Sequence, residues 1–215
     1  MDQLVIVKIG GNIVDDDASL QLFLKSFAEI KQAKILVHGG GKLATRLAET
    51  MGIQQQMVEG RRITDAETLK VVTMVYAGYI NKSIVAQLQH YGANSIGLTG
   101  ADANAVLAHK RKGKMPDAID YGFVGDIDQV NAAFFNKLIQ QSLVPVVSPI
   151  THDGKGQLLN TNADTIAQSI ATAMSSFYET ILVYSFEKQG VLLDINNADS
   201  VIPIIDSNYY QTLKA

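Results

Sequence analysis

The chain has 215 residues, of which 47% are hydrophobic and 18% charged; its formal net charge is −3 and it has no cysteine. This balance excludes a disordered chain, disulfides, thiolate metal sites and cysteine nucleophiles, and it offers no overall attraction to nucleic acid or an anionic membrane. No apolar run approaches the roughly 20 residues that cross a bilayer, and the N-terminal run has no basic region before it, so a cytoplasmic protein without a membrane partner is expected.

The elements are predicted in chain order from hydrophobic periodicity. Residues 4–9 read as a buried strand, although Lys8 sits inside it and Gly10 and Gly11 follow at once. Lysine is costly to bury without a partner. "DASLQLFLKSFAEIKQA" places Leu20, Leu22, Phe23, Leu24, Phe27 and Ile30 on one broad helical face, with Asp17 as the expected N-cap. Residues 34–37 predict a second strand, which leads into His38, Gly39, Gly40 and Gly41. A long helix is expected from Asp65, stopped by Gly92. Residues 95–98 predict a third strand, followed by "GLTGADAN" around its end. Residues 105–130 break the rhythm and predict hairpins, with the basic run 110–114 on a turn. Then come a helix in "NAAFFNKLIQQS", a strand at 143–147 and a hairpin at the Asp-Gly turn of "THDGKGQL". A helix in "ADTIAQSIATAM", a strand at 181–184 and a helical pattern from Asn208 complete the chain. Continuous aliphatic strands alternating with helices predict an α/β fold, its parallel sheet covered on both faces.

In open α/β sheets ligands bind beyond the carboxyl ends of the strands. Four polar or glycine-rich groups fall there: Lys8 with Gly10 and Gly11, the His38–Gly41 turn, "GLTGADAN", and "NTNAD" at residues 160–164. Successive glycines let backbone N–H groups turn onto an anion, so the triple glycine favours phosphate or carboxylate over a plain tight turn. It is not a Walker A loop, because Leu43 follows Lys42. Gly39, Gly41 and Ala44 fit the loose dinucleotide pattern, with Glu59 at about the expected ~20-residue distance. A dinucleotide-binding oxidoreductase therefore competes, although it leaves Lys8, Gly10 and Gly11 unused. Arg62 suits bidentate carboxylate recognition, while a plain surface arginine is the commoner case. One of Asn160, Asn162 and Asp164 is expected to cap the following helix. His38 is expected to be a neutral imidazole bonded to backbone.

Taken together, "VIVKIGGN", "LVHGGGK", "GRRIT", "VYAGYINKSIVAQL", "GLTGADAN", "PVVSPI" and "LNTNADTIA" resemble the amino-acid kinase family, and within it the branch acting on N-acylated glutamate. The match runs in order from residue 5 to about 168. The resemblance implies a three-layer αβα sandwich with a mainly parallel central sheet, a homodimer, and ATP with Mg²⁺. It implies phosphorylation of the γ-carboxylate of N-acetyl- or N-succinyl-glutamate in arginine biosynthesis. Another amino-acid kinase is the near alternative. By matching positions, Lys8 would stabilise the transferring phosphoryl group and Asp164 would orient the lysines. Gly10, Gly11 and Asn162 would serve the nucleotide phosphates. Gly40 and Gly41 would present N–H groups at the reaction centre, and Arg62 and Asn160 would hold the substrate carboxylate. No residue is assigned to a protein-bound metal.

Two departures from the family pattern stand out. The aspartate of its Asp-Val-x-Gly segment is replaced by Phe186, and the chain reaches "YYQTLKA" before the family's second lysine. A single domain is expected over residues 1–215, with a substrate lobe to about residue 170 and the start of a nucleotide lobe after it, and with a C-terminal part omitted.

Overall fold

In the computed structural model the five aliphatic runs converge on one sheet. The structure describes residues 1–53, 56–58, 61–112 and 119–214; the side chains at 41, 56–58, 61, 62 and 214 stay outside that description. The first half of the chain gives β1 (Gln3–Ile9), α1 (Gly11–Val14), α2 (Asp17–Glu29), β2 (Ala33–His38), α3 (Gly41–Thr50), β3 (Gln56–Val58), β4 (Arg61–Ile63) and α4 (Ala66–Val72). A π-helical stretch, Thr73–Ile80, joins α4 to α5 (Asn81–His90). The second half gives β5 (Ser95–Leu98), β6 (Val106–Lys110), β7 (Gly125–Val130), α6 (Ala132–Gln140), β8 (Val144–Val147), β9 (Ile150–His152), β10 (Leu158–Asn160), α7 (Ala163–Met174), β11 (Glu179–Ser185) and α8 (Ser207–Lys214).

The central sheet runs β11–β1–β2–β8–β5 and every neighbouring pair is parallel. Strand alternation sorts its side chains into two cores. Leu4, Ile6, Ile35 and Val37 pack with Ile166 and Ile170 of α7. Val7, Ile9 and Leu36 pack on the other face with Leu24, Ala48, Val72 and Ile84 from the helices between β1 and β5. The result is the expected αβα layering. Both predicted hairpins form: β6 pairs antiparallel with β7, and β9 with β10, in a second sheet ordered β10–β9–β6–β7.

Two local expectations are sharpened. The cap of α2 is Asp16, not Asp17: Asp16 has extended backbone and its side chain accepts from the Ser19 N–H, three residues on. Lys34, at the edge of an aliphatic run, is buried because its ammonium finishes α2, donating to the carbonyls of Phe27, Ala28 and Ile30 at 3.0, 2.7 and 2.8 Å. Burial, aided by Lys31, holds its pKa below the ordinary lysine value.

Residues Met1–Ser185 form one compact unit and Phe186–Ala215 another. In the latter, Leu192 bridges Val201, and α8 follows.

Candidate active site

One side of the site grows from the ends of β1 and β2. Lys8 shares its parity with Leu4 and Ile6, so it leaves the sheet on the α7 face. There its Nζ lies 2.8 Å from the carboxylate of Asp164, in the first turn of α7. The lysine side chain is 16% exposed and the aspartate 51%, so the pair sits at a surface opening and not in the core. Asp164 also reaches Tyr184: the Tyr184 hydroxyl donates to its carbonyl at 3.4 Å. The tyrosine's pKa is raised, first by burial and then by the Asp164 charge.

The two glycine turns are tied together in front of this pair. Gly10 caps α1 and donates to Ser185 at 3.1 Å; Gly39 donates to Ile9 at 3.1 Å. A Cβ placed on Gly39 would lie 3.6 Å from the Gly11 nitrogen, so the turns face each other across a gap that a side chain would fill. The Asp15 carboxylate accepts from the Lys42 N–H at 3.2 Å and pins the α1 turn to the start of α3. Gly40 has no room for a side chain, since its Cβ would lie 2.5 Å from the Tyr76 ring and 2.9 Å from Ile80 Cδ1. Both of those residues belong to the π-helical stretch, a feature that recurs at functional sites.

His38 lies beneath this loop, fully buried. Its Nδ1 faces the Gly39 carbonyl at 2.8 Å, and its Nε2 faces the Asn81 amide nitrogen at 3.1 Å. A carbonyl can only accept, so the proton sits on Nδ1 and Nε2 receives the Asn81 N–H. Asn81 also donates to Val146 at 3.0 Å, which links the helix to β8. Burial pushes the His38 pKa down to about 4. It is a neutral strut, as the sequence reading expected, and not a base.

The other side of the site uses different elements. Arg62 lies in β4, paired with Met57 of β3; its side chain falls outside the described atoms. Asn160 ends β10, and its Nδ2 donates to the hydroxyl of the buried Thr64 at 3.0 Å. The five residues of "NTNAD" then join the two sides. Thr161 is buried against Thr151, their hydroxyls 2.7 Å apart. Asn162 is the helix cap, its side chain accepting from the Thr165 N–H at 3.0 Å. Asp164 reaches Lys8.

The other motifs divide. "GLTGADAN" stands at the end of β5, but Asp102 spends its carboxylate on the Thr99 N–H and hydroxyl, at 2.6 and 2.9 Å. Of the basic run 110–114, Lys110 pairs with Asp120 and Arg111 with Asp126; residues 113 and 114 lie outside the described residues, as does Glu59. Among the described residues the short strand β3 pairs with β4 outside the central sheet, where a dinucleotide-binding βαβ unit needs its second strand. Sequence reasoning did not single out Thr64, Tyr76 or Asn81. Their partners lie 96 residues away for Thr64 and 43 for Asn81, and no local periodicity reports such pairs. Among the described residues, no group of three or more His, Asp or Glu is arranged to hold a metal ion. Among the described residues no helix is long and apolar enough to cross a membrane.

Comparison with known proteins gives consistent results. The model of the amino acid kinase family matches residues 3–212. The acetylglutamate kinase of Phocaeicola vulgatus is 56% identical over 214 residues, covering 100% of this chain and 82% of its own length. That of Methanopyrus kandleri is 37% identical over 92% of this chain and 76% of its own length. Among solved structures, smu.665 from Streptococcus mutans UA159 superposes with a TM-score of 0.74 at 23% identity, covering 88% of this chain and 74% of its own. An isopentenyl phosphate kinase substrate complex superposes with a TM-score of 0.59 at 16% identity, covering 98% and 83%. At these identities the structural likeness speaks for the fold alone.

Proposed function

The chain belongs to the amino acid kinase family, and we propose that it transfers the terminal phosphoryl group of ATP to the γ-carboxylate of N-acetyl-L-glutamate, giving the acyl phosphate used in arginine biosynthesis. The observation that carries this reading is the pairing of Lys8 with Asp164 beside two facing glycine turns at the ends of β1 and β2.

The chemistry asks little else of the protein. A glutamate side chain titrates near ~4.3, so the acceptor is already ionised near neutral pH and no general base is required. What the reaction needs is in-line positioning and a positive, dipolar surround for the charge shared by three phosphoryl oxygens. Lys8 supplies a cation. Asp164, half exposed, holds that cation in place. The N–H groups around Gly10, Gly11, Gly40 and Gly41 supply dipoles without side chains in the path. Asn160 and Arg62 hold the substrate carboxylate at the other side. Asn162 shapes the phosphate side by capping α7.

The donor set fits Mg²⁺ that arrives on the nucleotide, since this ion binds through phosphates and water more than through protein cages. When bound it neutralises phosphate charge; Asp164 and the glycine turns are the groups nearest that role. The same reading includes a cytoplasmic homodimer, for which Met74 and Tyr79, 52% and 68% exposed on the long helix, offer an apolar face.

The test is incubation with Mg-ATP and N-acetyl-L-glutamate, with hydroxylamine to trap the acyl phosphate. Hydroxamate is expected. Its absence with both N-acetyl- and N-succinyl-glutamate would overturn the reading, and the faster of the two substrates identifies the acyl group.

A further inference from the structure

The contact between Thr64 and Asn160 is more than packing. Thr64 has no solvent exposure, and its hydroxyl takes one of the two Nδ2 hydrogens of Asn160 at 3.0 Å. The other hydrogen remains for a ligand. A terminal amide turns about a broad, roughly two-fold torsion. Turned over, it would present an acceptor oxygen to an anion. The Thr64 hydroxyl can donate as well as accept, so the contact fixes the torsion at which the amide is held, and with Nδ2 bonded to Thr64 the second N–H is left for an anion.

The backbone places that partner with little freedom. Thr64 donates to Tyr121 at 3.0 Å and accepts from Phe123 at 2.7 Å. The Phe123 carbonyl in turn accepts from the Asn160 N–H at 2.9 Å. Residues 121–123 thus form a strap that ties Thr64 and Asn160 to each other. At its centre Gly122 has φ +70°, and a Cβ there would come within 2.8 Å of the Thr64 carbonyl carbon. The Gly122 N–H is held by Asp120 at 2.9 Å. Directly after Thr64, Asp65 caps α4 by accepting from the Thr68 N–H at 2.7 Å. The strap and the cap fix Thr64 from both sides.

We propose that Thr64 is a positioning residue: its hydroxyl, on a backbone fixed by the strap through Gly122, holds the Asn160 amide at the torsion from which its second N–H donates to the carboxylate of the acylated amino acid. The proposal rests on the kinase reading above and adds to it a determinant of substrate affinity that touches neither nucleotide nor reacting atoms.

The test is steady-state kinetics of the full-length chain with both substrates varied. Thr64→Val keeps the shape and loses the hydroxyl. It is expected to raise KM for N-acetylglutamate about fivefold, the size of one lost hydrogen bond, and to leave KM for ATP within about twofold. Thr64→Ser is expected to restore the unmodified value. In an Asn160→Ala background, Thr64→Val is expected to add less than about twofold, since the group it aims is gone. Gly122→Ala, which reaches Thr64 from the opposite side, is expected to raise the same KM and stands in if Thr64→Val does not fold. An unchanged KM for N-acetylglutamate in these variants, an equal rise in both KM values, or a full effect of Thr64→Val without Asn160 would each overturn the proposal. An unmodified protein with no hydroxamate product would overturn the kinase reading itself, so the two failures are distinguishable.

Discussion

Under the proposed function, the phosphate side of the site stands on the ends of two parallel, buried strands, whereas the carboxylate side hangs on a short hairpin, a strap and the last residue of β10. On the first side most polar groups are backbone N–H, presented by glycines, of which Gly40 has no room for a Cβ. On the second they are side chains, and Asn160 is aimed by a residue 96 positions away in sequence. The difference has a physical basis. A phosphoryl group needs a dense, rigid field of dipoles, and backbone at strand ends supplies it with no rotamer to freeze. A carboxylate on a variable substrate needs direction and selectivity, which side chains give at the cost of being held by neighbours. Damage to the first side is therefore expected in kcat, and damage to the second in KM.

The largest expected break is Lys8→Ala. Removing the cation from the phosphoryl path is expected to lower kcat by roughly 10²–10³, while KM for N-acetylglutamate changes little. An equal loss in KM would blur the division between the two sides.

Next is Gly40→Ala, whose methyl would meet the Tyr76 ring at 2.5 Å. Overpacking of this kind costs roughly 1–3 kcal/mol, and urea melts measure it. Gly78→Ala is the internal contrast: nothing lies within 4 Å of its Cβ, so stability should hold or rise by a few tenths to about 1 kcal/mol.

Asp164→Asn is expected to lower kcat about tenfold by loosening Lys8. Its effect on stability should stay under about 1 kcal/mol, because the carboxylate is half exposed. A large loss of stability instead would make the pair structural.

The smallest effect comes from His38 and concerns pH. Its pKa is about 4 when folded, against 6.5 for the free group. The unfolded chain therefore binds more protons between these values, and stability is lost as pH falls from about 6.5 toward 4. Between pH 7 and pH 6 the loss from this residue is about 0.7 kcal/mol. Urea melts of the protein and of His38→Asn at pH 7 and pH 6 should differ in their pH dependence by that amount; an equal pH dependence would show that the fold does not hold the His38 pKa below its free value.

Much of this protein was legible in the sequence. The five aliphatic runs that head its strands are also the five strands of the central sheet; β1 and β2, covered on both faces, need an unbroken apolar run, whereas β11 at the sheet edge leaves Ile181, Val183 and Tyr184 exposed. The glycine turns and Lys8 were legible for the same reason, since each departs from that run at its end. Gly92 as the helix stop and the β9–β10 hairpin followed from turn chemistry, and the β6–β7 hairpin from a break in the strand–helix rhythm. The cap of α2 slipped by one residue because three aspartates, Asp15, Asp16 and Asp17, stand in a row, and only backbone conformation picks among them.

The amino-acid sequence by itself determined the layered fold, the strand ends that carry the site and the kinase resemblance, because hydrophobic period, glycine and charge are local properties. The tertiary structure gave geometry to the Lys8–Asp164 pair that the resemblance implied, and it alone decided that His38 rests on Asn81, that Gly40 is walled by Tyr76 and that Thr64 bonds Asn160. Each of these joins residues from 36 to 156 positions apart. Such pairs are set by how sheets and helices pack, and no window of sequence contains both partners.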